Sequence, residues 1–307
     1  MTTDIEKKIF GYNELFNFFI KLDLADKIPN KFIISGKKGI GKSTFTHHLI
    51  NYLFSKNEPN KYDVNNYEIS NLNKSYNLVK NNTHPNFFLI NSDEGKEQIS
   101  IDKVRKSFDF INRSSLNNDY RIVLINNAEY LNINSSNALL KIIEEPNDKL
   151  IFILIHNTSH KLLETIKSRC IIFKKSFTEN ENISIYEKLT NTKFDQSFDD
   201  NLLAKFMSVG DLMYLKNFSE EIKFTEKINS QNFLSFYFKS KKKFEKKDFS
   251  ILLKLMQIFL YQKNLYSFNE NNFLWYTSFF KKISEAKKFN LDIENIFLEF
   301  QLKNLND

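Results

Sequence analysis

The sequence lacks the features that mark secreted and membrane proteins. It contains one cysteine, Cys170, so an internal disulfide and a thiolate-rich zinc site are excluded, as expected for a reducing compartment. No apolar run approaches the roughly 18 residues that a membrane-spanning helix needs. The N-terminal residues have no apolar segment of signal-peptide length. We therefore expect a soluble, cytoplasmic protein that has no membrane partner.

Glycine and proline are also scarce, at 6 and 4 of 307 residues, so each is expected where the backbone needs it. The chain carries 44 Lys and Arg against 37 Asp and Glu, a net charge of +7. A basic balance is compatible with a nucleic-acid partner, but a lysine-rich solvated surface explains it equally well. Composition alone leaves both readings open.

The stretch GKKGIGKST carries the clearest chemical signal. It matches the phosphate-loop pattern G-x-x-x-x-G-K-[ST], with an apolar run before it and helical periodicity after it. In this pattern the glycines let backbone N–H groups face a triphosphate, the lysine reaches the β and γ phosphates, and the hydroxyl ligates magnesium. We predict a site that binds ATP or ADP together with Mg²⁺. It is formed by Gly36, Gly39, Gly41, Lys42, Ser43 and Thr44, and Ser43 is the ligand of the Mg²⁺ ion.

The apolar run RIVLIN ends in two amides, Asn126 and Asn127, where an ATPase of this type has two acids. An amide cannot supply the anionic partner that magnesium needs, nor accept a proton from the attacking water. A local role is the alternative, since amides often bond at strand ends. Glu129 is the nearest acid, and it lies beyond the strand end. Both readings predict very weak hydrolysis by this chain alone.

Arg169 lies in TIKSRCIIF, immediately before an apolar run. A guanidinium at a subunit edge can stabilise the γ phosphate held by a neighbouring subunit, as an arginine finger does. The alternative is an ordinary surface salt bridge. Cys170, beside it, is expected to be a packing thiol.

Strand and helix patterns alternate over the first ~170 residues, which predicts an open parallel α/β sheet with flanking helices. Beyond residue 180 only helical periodicity is found. A polar stretch at 218–226 indicates a second boundary. We therefore predict three domains, which span residues 1–175, 176–222 and 223–307.

Five segments resemble bacterial clamp-loader subunits, the AAA+ proteins of the DNA polymerase III holoenzyme. They come in that family's order and spacing: FIISGKKGIGKST, ISIDKVRKS, YRIVLINNAEYLN, SSNALLKIIEEP and LLETIKSRC. The resemblance is strong over residues 8–175 and covers the rest only in outline. It implies an AAA+ core, a small helical lid and an all-α C-terminal collar domain.

Among these subunits, the chain is most similar to the delta-prime type, a stator that donates an arginine finger. The gamma/tau type keeps both acids and usually has a four-cysteine zinc module where residues 55–85 lie; here that region has no cysteine, so no zinc is expected. The nucleotide-sensing arginine of the family's lid motif is replaced by Asp211. The resemblance implies a pentamer with gamma/tau and delta subunits that acts on a sliding clamp and primed DNA.

Several residues keep two interpretations. Asn157, after the strand IFILIHN, resembles the family's first nucleotide sensor, or it caps the strand end. His47 and His48 follow the phosphate loop and are interpreted as surface or packing residues, because adjacent helical residues point to different faces. The basic run at 239–247 could face DNA or a partner, but it is interpreted as a solvated helix face or loop and is assigned no site.

Two rival functions remain. The first is an active gamma-type ATPase that uses Glu129 and water. The second is a helical nucleic-acid-binding switch in which the AAA+ core is only a scaffold; it predicts strong, salt-dependent DNA binding by the isolated chain. The core motifs contain no basic cluster, which argues against the switch.

Overall fold

The computed structural model describes residues 7–92, 98–112, 120–144, 149–240, 248–266, 270–289 and 294–304. The chain divides into two compact units, Met1–Phe177 and Thr178–Asp307. Among the described residues, no helix is both long and apolar enough to cross a membrane. Residues 241–247 of the basic run lie outside the described part of the chain.

The first unit alternates strands and helices, as the periodicity predicts. Its strands are β1 (Lys31–Gly36), β2 (Phe87–Ile90), β3 (Arg121–Ile125), β4 (Leu150–Asn157) and β5 (Ile171–Lys174). Its helices are α1 (Asn13–Leu24), α2 (Lys42–Phe54), α3 (Lys74–Lys80), α4 (Ile101–Ile111), α5 (Ile133–Glu144) and α6 (Glu164–Lys167). A 3₁₀ turn, Ala128–Tyr130, follows β3.

The five strands form one parallel sheet in the order β2-β3-β4-β1-β5. Alternate residues of β1 enter two different hydrophobic clusters: Phe32 and Ile34 pack on one face of the sheet and Ile33 on the other. A strand covered on both faces needs apolar residues at every position, because neither side meets water. The continuous apolar runs of β1, β3 and β4 have this cause, and the predicted α/β class is confirmed.

The segment between α2 and β2 is held by polar contacts. Asn73 caps α3 by accepting a hydrogen bond from the Tyr76 N–H, and its own Oδ1 also accepts from Asn51 Nδ2 at 2.8 Å. Glu58 accepts from the free N–H groups of Lys74 and Ser75 at 2.9 and 3.0 Å. Carboxylate and amide oxygens at a helix start satisfy donors that have no partner in the helix. This asparagine-rich stretch therefore contains one short helix, α3.

Among its described residues, the regular elements of the second unit are all helices, as predicted. Its helices are α7 (Glu179–Thr190), α8 (Phe194–Ser197), α9 (Asn201–Phe206), α10 (Val209–Glu221), α11 (Ser230–Lys239), α12 (Phe249–Tyr266), α13 (Glu270–Phe289) and α14 (Glu294–Asn304). Helices α7 and α10 begin with reciprocal capping boxes, Thr178 with Glu181 and Ser208 with Asp211.

Hydrogen bonds join the two predicted helical domains. Asp211 of α10 pairs with Lys254 of α12 at 2.5 Å, and the Tyr214 hydroxyl donates to Asp248 at 2.6 Å. Gln262 donates to Asp200 at 2.5 Å. The contacts thus place 178–307 in one compact unit. The division into a lid, 176–222, and a collar, 223–307, stays a prediction.

Gly36, at the end of β1, has no room for a side chain. A Cβ atom there would overlap the carbonyl oxygen of Lys175 and lie 2.6 Å from Ile40 Cδ1. We expect Gly36→Ala to lower the free energy of unfolding by about 1–3 kcal/mol, because overpacking forces the backbone of β5 to move. Urea denaturation measures the change.

The exposed neighbour Lys37 gives the matched control. Lys37→Ala should leave the unfolding free energy within about 0.5 kcal/mol of the parent, as at ordinary surface positions. Equal unfolding midpoints for the two variants would contradict the steric argument.

Candidate nucleotide site

The phosphate loop connects the carboxyl end of β1 to the start of α2. Gly39 and Gly41 have φ angles of 82° and 83°, a left-handed conformation that residues with a Cβ rarely adopt. Gly41 is the N-cap of α2 and offers no side chain to cap it. The first N–H groups of α2, including those of Ser43 and Thr44, therefore have no acceptor within the helix. An uncapped helix start beside a glycine loop suits a phosphate group.

Lys42 lies under this loop. Its side chain is buried, and Nζ donates to the carbonyl oxygens of Gly36 at 2.8 Å and Lys37 at 2.6 Å. Burial lowers the pKa of Lys42 to about 8, and the negative charge of Glu129 opposes that shift. Two backbone carbonyls of the phosphate loop thus hold the ammonium.

Ser43 has a half-buried hydroxyl at the start of α2, where a magnesium ligand of a phosphate loop belongs. His47, one turn later, bonds through Nδ1 to the Ser43 carbonyl oxygen at 2.8 Å, and burial lowers its pKa. His48 is buried and bonds the Tyr62 hydroxyl at 2.9 Å. Both histidines are thus engaged in local contacts. Within the described ranges, no group of three or more His, Cys, Asp and Glu is placed to hold a metal ion.

The two amides at the end of β3 are half-buried and have different backbone roles. The N–H of Asn126 extends the sheet by donating to Ile90 O at 2.9 Å. Asn127 adopts a left-handed conformation, φ 56° and ψ 58°, at the start of the 3₁₀ turn. Asparagine tolerates this conformation better than most residues. The backbone geometry thus accounts for an amide at 127, and neither residue brings a carboxylate to the loop.

Glu129, two residues farther on, connects the end of β4 to this region. One of its carboxylate oxygens accepts the backbone N–H of Asn157 at 3.0 Å. Asn157 lies opposite Gly36 in the sheet register, so the acid is held at the same edge as the phosphate loop. The structure therefore assigns Glu129 a contact that sequence reasoning missed, because the two residues are 28 positions apart.

The side chain of Asn157 is mostly buried and turns toward its own chain. Its Oδ1 accepts the N–H of Ser159 at 3.2 Å, which is an Asx turn after the strand. Next to it, His156 bonds the Ser35 hydroxyl at 2.9 Å and the His160 carbonyl at 3.0 Å. Local capping is the contact observed for Asn157, and its role as a nucleotide sensor stays a prediction.

Tyr12 contacts the phosphate loop and the start of α2, and it is not among the residues predicted from the sequence. Its hydroxyl donates to Ile40 O at 3.1 Å, and its ring stacks on Phe45 with centroids 4.9 Å apart. Burial raises its pKa far above the ordinary value, so the ring stays neutral. A lone tyrosine before α1 gives no signal in sequence, since only the fold brings it to residues 40–45.

Arg169 lies just before β5, the strand that borders β1. Its Nε donates to Glu144 Oε1 at 2.6 Å and its Nη1 donates to Thr165 O at 3.1 Å. The side chain is 40% exposed, and its hydrogen bonds within the described residues go to α5 and α6 rather than to the phosphate loop. Cys170 next to it packs on the sheet's hydrophobic cluster, and burial raises its pKa to about 11. The predicted site residues thus fall into two places: the loop with Asn157, and the separate Arg169.

A comparison with known protein families gives this arrangement its context. The family model described as "DNA polymerase III, delta subunit" matches residues 11–178, which is more than half of the chain. The chain belongs to this family. The match contains every predicted site residue, from Gly36 to Arg169.

Individual DNA polymerase III subunits are similar to the chain over stretches of different length. A DNA polymerase III subunit delta' of Pseudomonas aeruginosa is 37% identical over 98 residues, 32% of this chain and 30% of the relative. One of Buchnera aphidicola (subsp. Baizongia pistaciae) is 27% identical over 232 residues, 72% of this chain and 62% of the relative. A subunit gamma of Buchnera aphidicola (subsp. Schizaphis graminum) is 25% identical over 197 residues, 64% of this chain and 52% of the relative. The chain thus spans less than two thirds of each relative's length.

The depressed pKa of Lys42 predicts that any nucleotide binding at the phosphate loop is pH-dependent. The ammonium must be charged to bind phosphate, so affinity for ADP with Mg²⁺ should be level below the pKa of about 8 and fall above it. We expect about a tenfold loss from pH 7 to pH 9, which equals the loss of the charged fraction. Titration with a fluorescent ADP analogue at constant ionic strength measures it.

Lys42→Arg is the control, because a guanidinium stays charged throughout this range. Its affinity can differ from that of the parent, but its profile between pH 7 and pH 9 should be flat. A flat profile for the parent chain would show that Lys42 titrates elsewhere or does not contact the nucleotide.

Proposed function

We propose that this chain is a delta-prime-type clamp-loader subunit, a stator that does not hydrolyse ATP itself and supplies Arg169 to a neighbouring subunit's active site. One observation carries the proposal: an intact phosphate loop stands beside a strand end that carries Asn126 and Asn127 instead of acids. A site that keeps the phosphate loop and lacks the acids needed for hydrolysis suits a subunit that acts on the nucleotide of its neighbour.

The chemistry of hydrolysis supports this division. Hydrolysis needs an anionic group near magnesium and a group that orients the attacking water, and an amide fills neither role well. Binding needs the glycines, the N–H groups of α2, Lys42 and Ser43, all of which are in place. Bound nucleotide would neutralise the buried ammonium and stabilise the fold without being consumed.

Arg169 suits action in trans because its guanidinium is partly exposed and stands apart from the chain's own phosphate loop. An arginine donated across a subunit boundary stabilises charge that develops on the γ phosphate, and it accelerates hydrolysis by about 10³–10⁵-fold. Arg169 comes just before β5, an edge strand of the sheet.

The names of the relatives suggest the partners. We infer assembly with gamma/tau-type and delta-type subunits into a pentamer that acts on a sliding clamp and primed DNA in the cytoplasm. The helical second unit would supply the lid, 176–222, and the collar, 223–307. The chain's positive charge agrees with work near DNA, although it does not require direct contact.

The alternative is an ATP-hydrolysing gamma/tau-type subunit, which the similarity to a Buchnera subunit gamma favours. Glu129 would then be the base, since its carboxylate is held at the loop edge and acts electrostatically on Lys42. Against it, one Glu129 oxygen is already bonded to the Asn157 N–H, which keeps the carboxylate at the strand end.

ATP turnover separates the two proposals. The purified chain should show negligible phosphate release, whereas Arg169→Ala should lower ATP turnover of the reconstituted complex. At the neighbouring site the loss should be about 10³-fold, and sites served by other subunits should keep their rate. Lys167→Ala, which removes a partly exposed cation two residues earlier, is the matched control and should leave turnover unchanged.

Robust turnover by the chain alone, abolished by Lys42→Ala and by Glu129→Gln, would establish the gamma-type alternative. Unchanged turnover of the complex with Arg169→Ala would overturn the stator proposal even if the isolated chain is inactive.

A further inference from the structure

The ion pair between Arg169 and Glu144 is the basis of an inference that rests on the proposed function. Glu144 is the final residue of α5 and Arg169 follows α6. Their side chains are 55% and 40% exposed, so both groups remain in reach of solvent and of a partner. We propose that Glu144 is a positioning residue: it holds the Arg169 guanidinium by one edge and directs the other edge outward.

The hydrogen bonds of Arg169 engage one edge of its guanidinium, formed by Nε and Nη1. Nε donates to Glu144 Oε1 at 2.6 Å, while Nη1 donates to Thr165 O at 3.1 Å and to Ser168 Oγ at 3.5 Å. Within the described residues Nη2 donates no hydrogen bond. Because a guanidinium is planar and its five N–H groups have fixed directions, fixing Nε and Nη1 also fixes Nη2. The unused N–H groups therefore keep one orientation.

Both partners stand on rigid supports. Helix α5 packs against α6, and Ile142, Ile143 and Ile166 are buried in the cluster that covers one face of the sheet. A carboxylate at the end of one helix and a carbonyl at the other thus have a fixed spacing. A functional side chain keeps its geometry when its supporting contacts come from packed helices rather than loops.

Fold stability does not explain the pair. An ion pair between two half-exposed side chains contributes little to folding, because water screens it and both side chains lose freedom. The same loss of freedom favours an arginine finger, because a side chain that is already ordered loses less conformational entropy when it binds a phosphate. The pair therefore fits a positioning role better than a structural one.

The test uses the complex reconstituted from the full chain with hydrolysing gamma-type and delta-type subunits of the same organism. Glu144→Gln keeps the size of the side chain and removes its charge. We expect kcat of ATP hydrolysis at the neighbouring site to fall about tenfold, with little change in KM, because a misplaced finger weakens the transition state more than the bound substrate. Glu144→Asp, which keeps the charge on a shorter stem, should recover part of the loss.

Two comparisons isolate the mechanism. Adding Glu144→Gln to Arg169→Ala should cause no further loss, because Glu144 acts only through Arg169. Glu164→Gln is the matched control: Glu164 is an exposed acid on the neighbouring α6, paired with Lys167 at 2.7 Å, and its loss should leave kcat unchanged. Urea unfolding of all variants checks that the fold is retained.

The outcomes are distinct. If Arg169→Ala lowers turnover while Glu144→Gln leaves kcat unchanged or raises it, the positioning role is wrong and the stator function stands; a raised kcat would mean that Glu144 restrains the finger. A further loss in the double variant would place Glu144 in another role. If Arg169→Ala has no effect, the proposed function fails and this inference with it.

Discussion

The carbonyl oxygen of Gly36 joins the parts on which the candidate site depends. It accepts Lys42 Nζ at 2.8 Å and the Thr158 N–H at 3.1 Å, so β1, the phosphate loop and the end of β4 meet at one atom. The absent side chain of Gly36 lets the Lys175 backbone approach from β5. Any residue with a Cβ would separate these strand ends, because a packed sheet has no space to absorb it.

Around this point lie the two charged side chains of the candidate site, Lys42 and Glu129. The Lys42 ammonium donates hydrogen bonds to two backbone carbonyls. Burial lowers its pKa, and the negative charge of Glu129 opposes that shift. Glu129 is held in turn by the backbone of Asn157. A cation and an anion thus lie at the same edge of the sheet, and positions 126 and 127 bring no carboxylate there. In the proposed function, Arg169 instead assists ATP hydrolysis at the active site of a neighbouring subunit.

Much of this protein could be predicted from sequence. Strands covered on both faces must be apolar throughout, so β1, β3 and β4 stand out as continuous runs, and α1, α10 and α12 follow from helical spacing. The phosphate loop is equally clear because its glycines and lysine are consecutive. Helix α3 was the hardest element to predict, because its start is stabilised by Glu58 and Asn73, which lie outside the helix itself.

The sequence by itself determined the α/β order of the core, the phosphate loop and the two amides, since residue identity at a motif does not change on folding. Only the tertiary structure decided which partners the functional side chains have. Glu129 with Asn157, Arg169 with Glu144 and Tyr12 with Ile40 are each at least 25 positions apart. Periodicity and motifs report local geometry, whereas these contacts depend on strand order and helix packing, which bring distant parts of the chain within hydrogen-bonding distance.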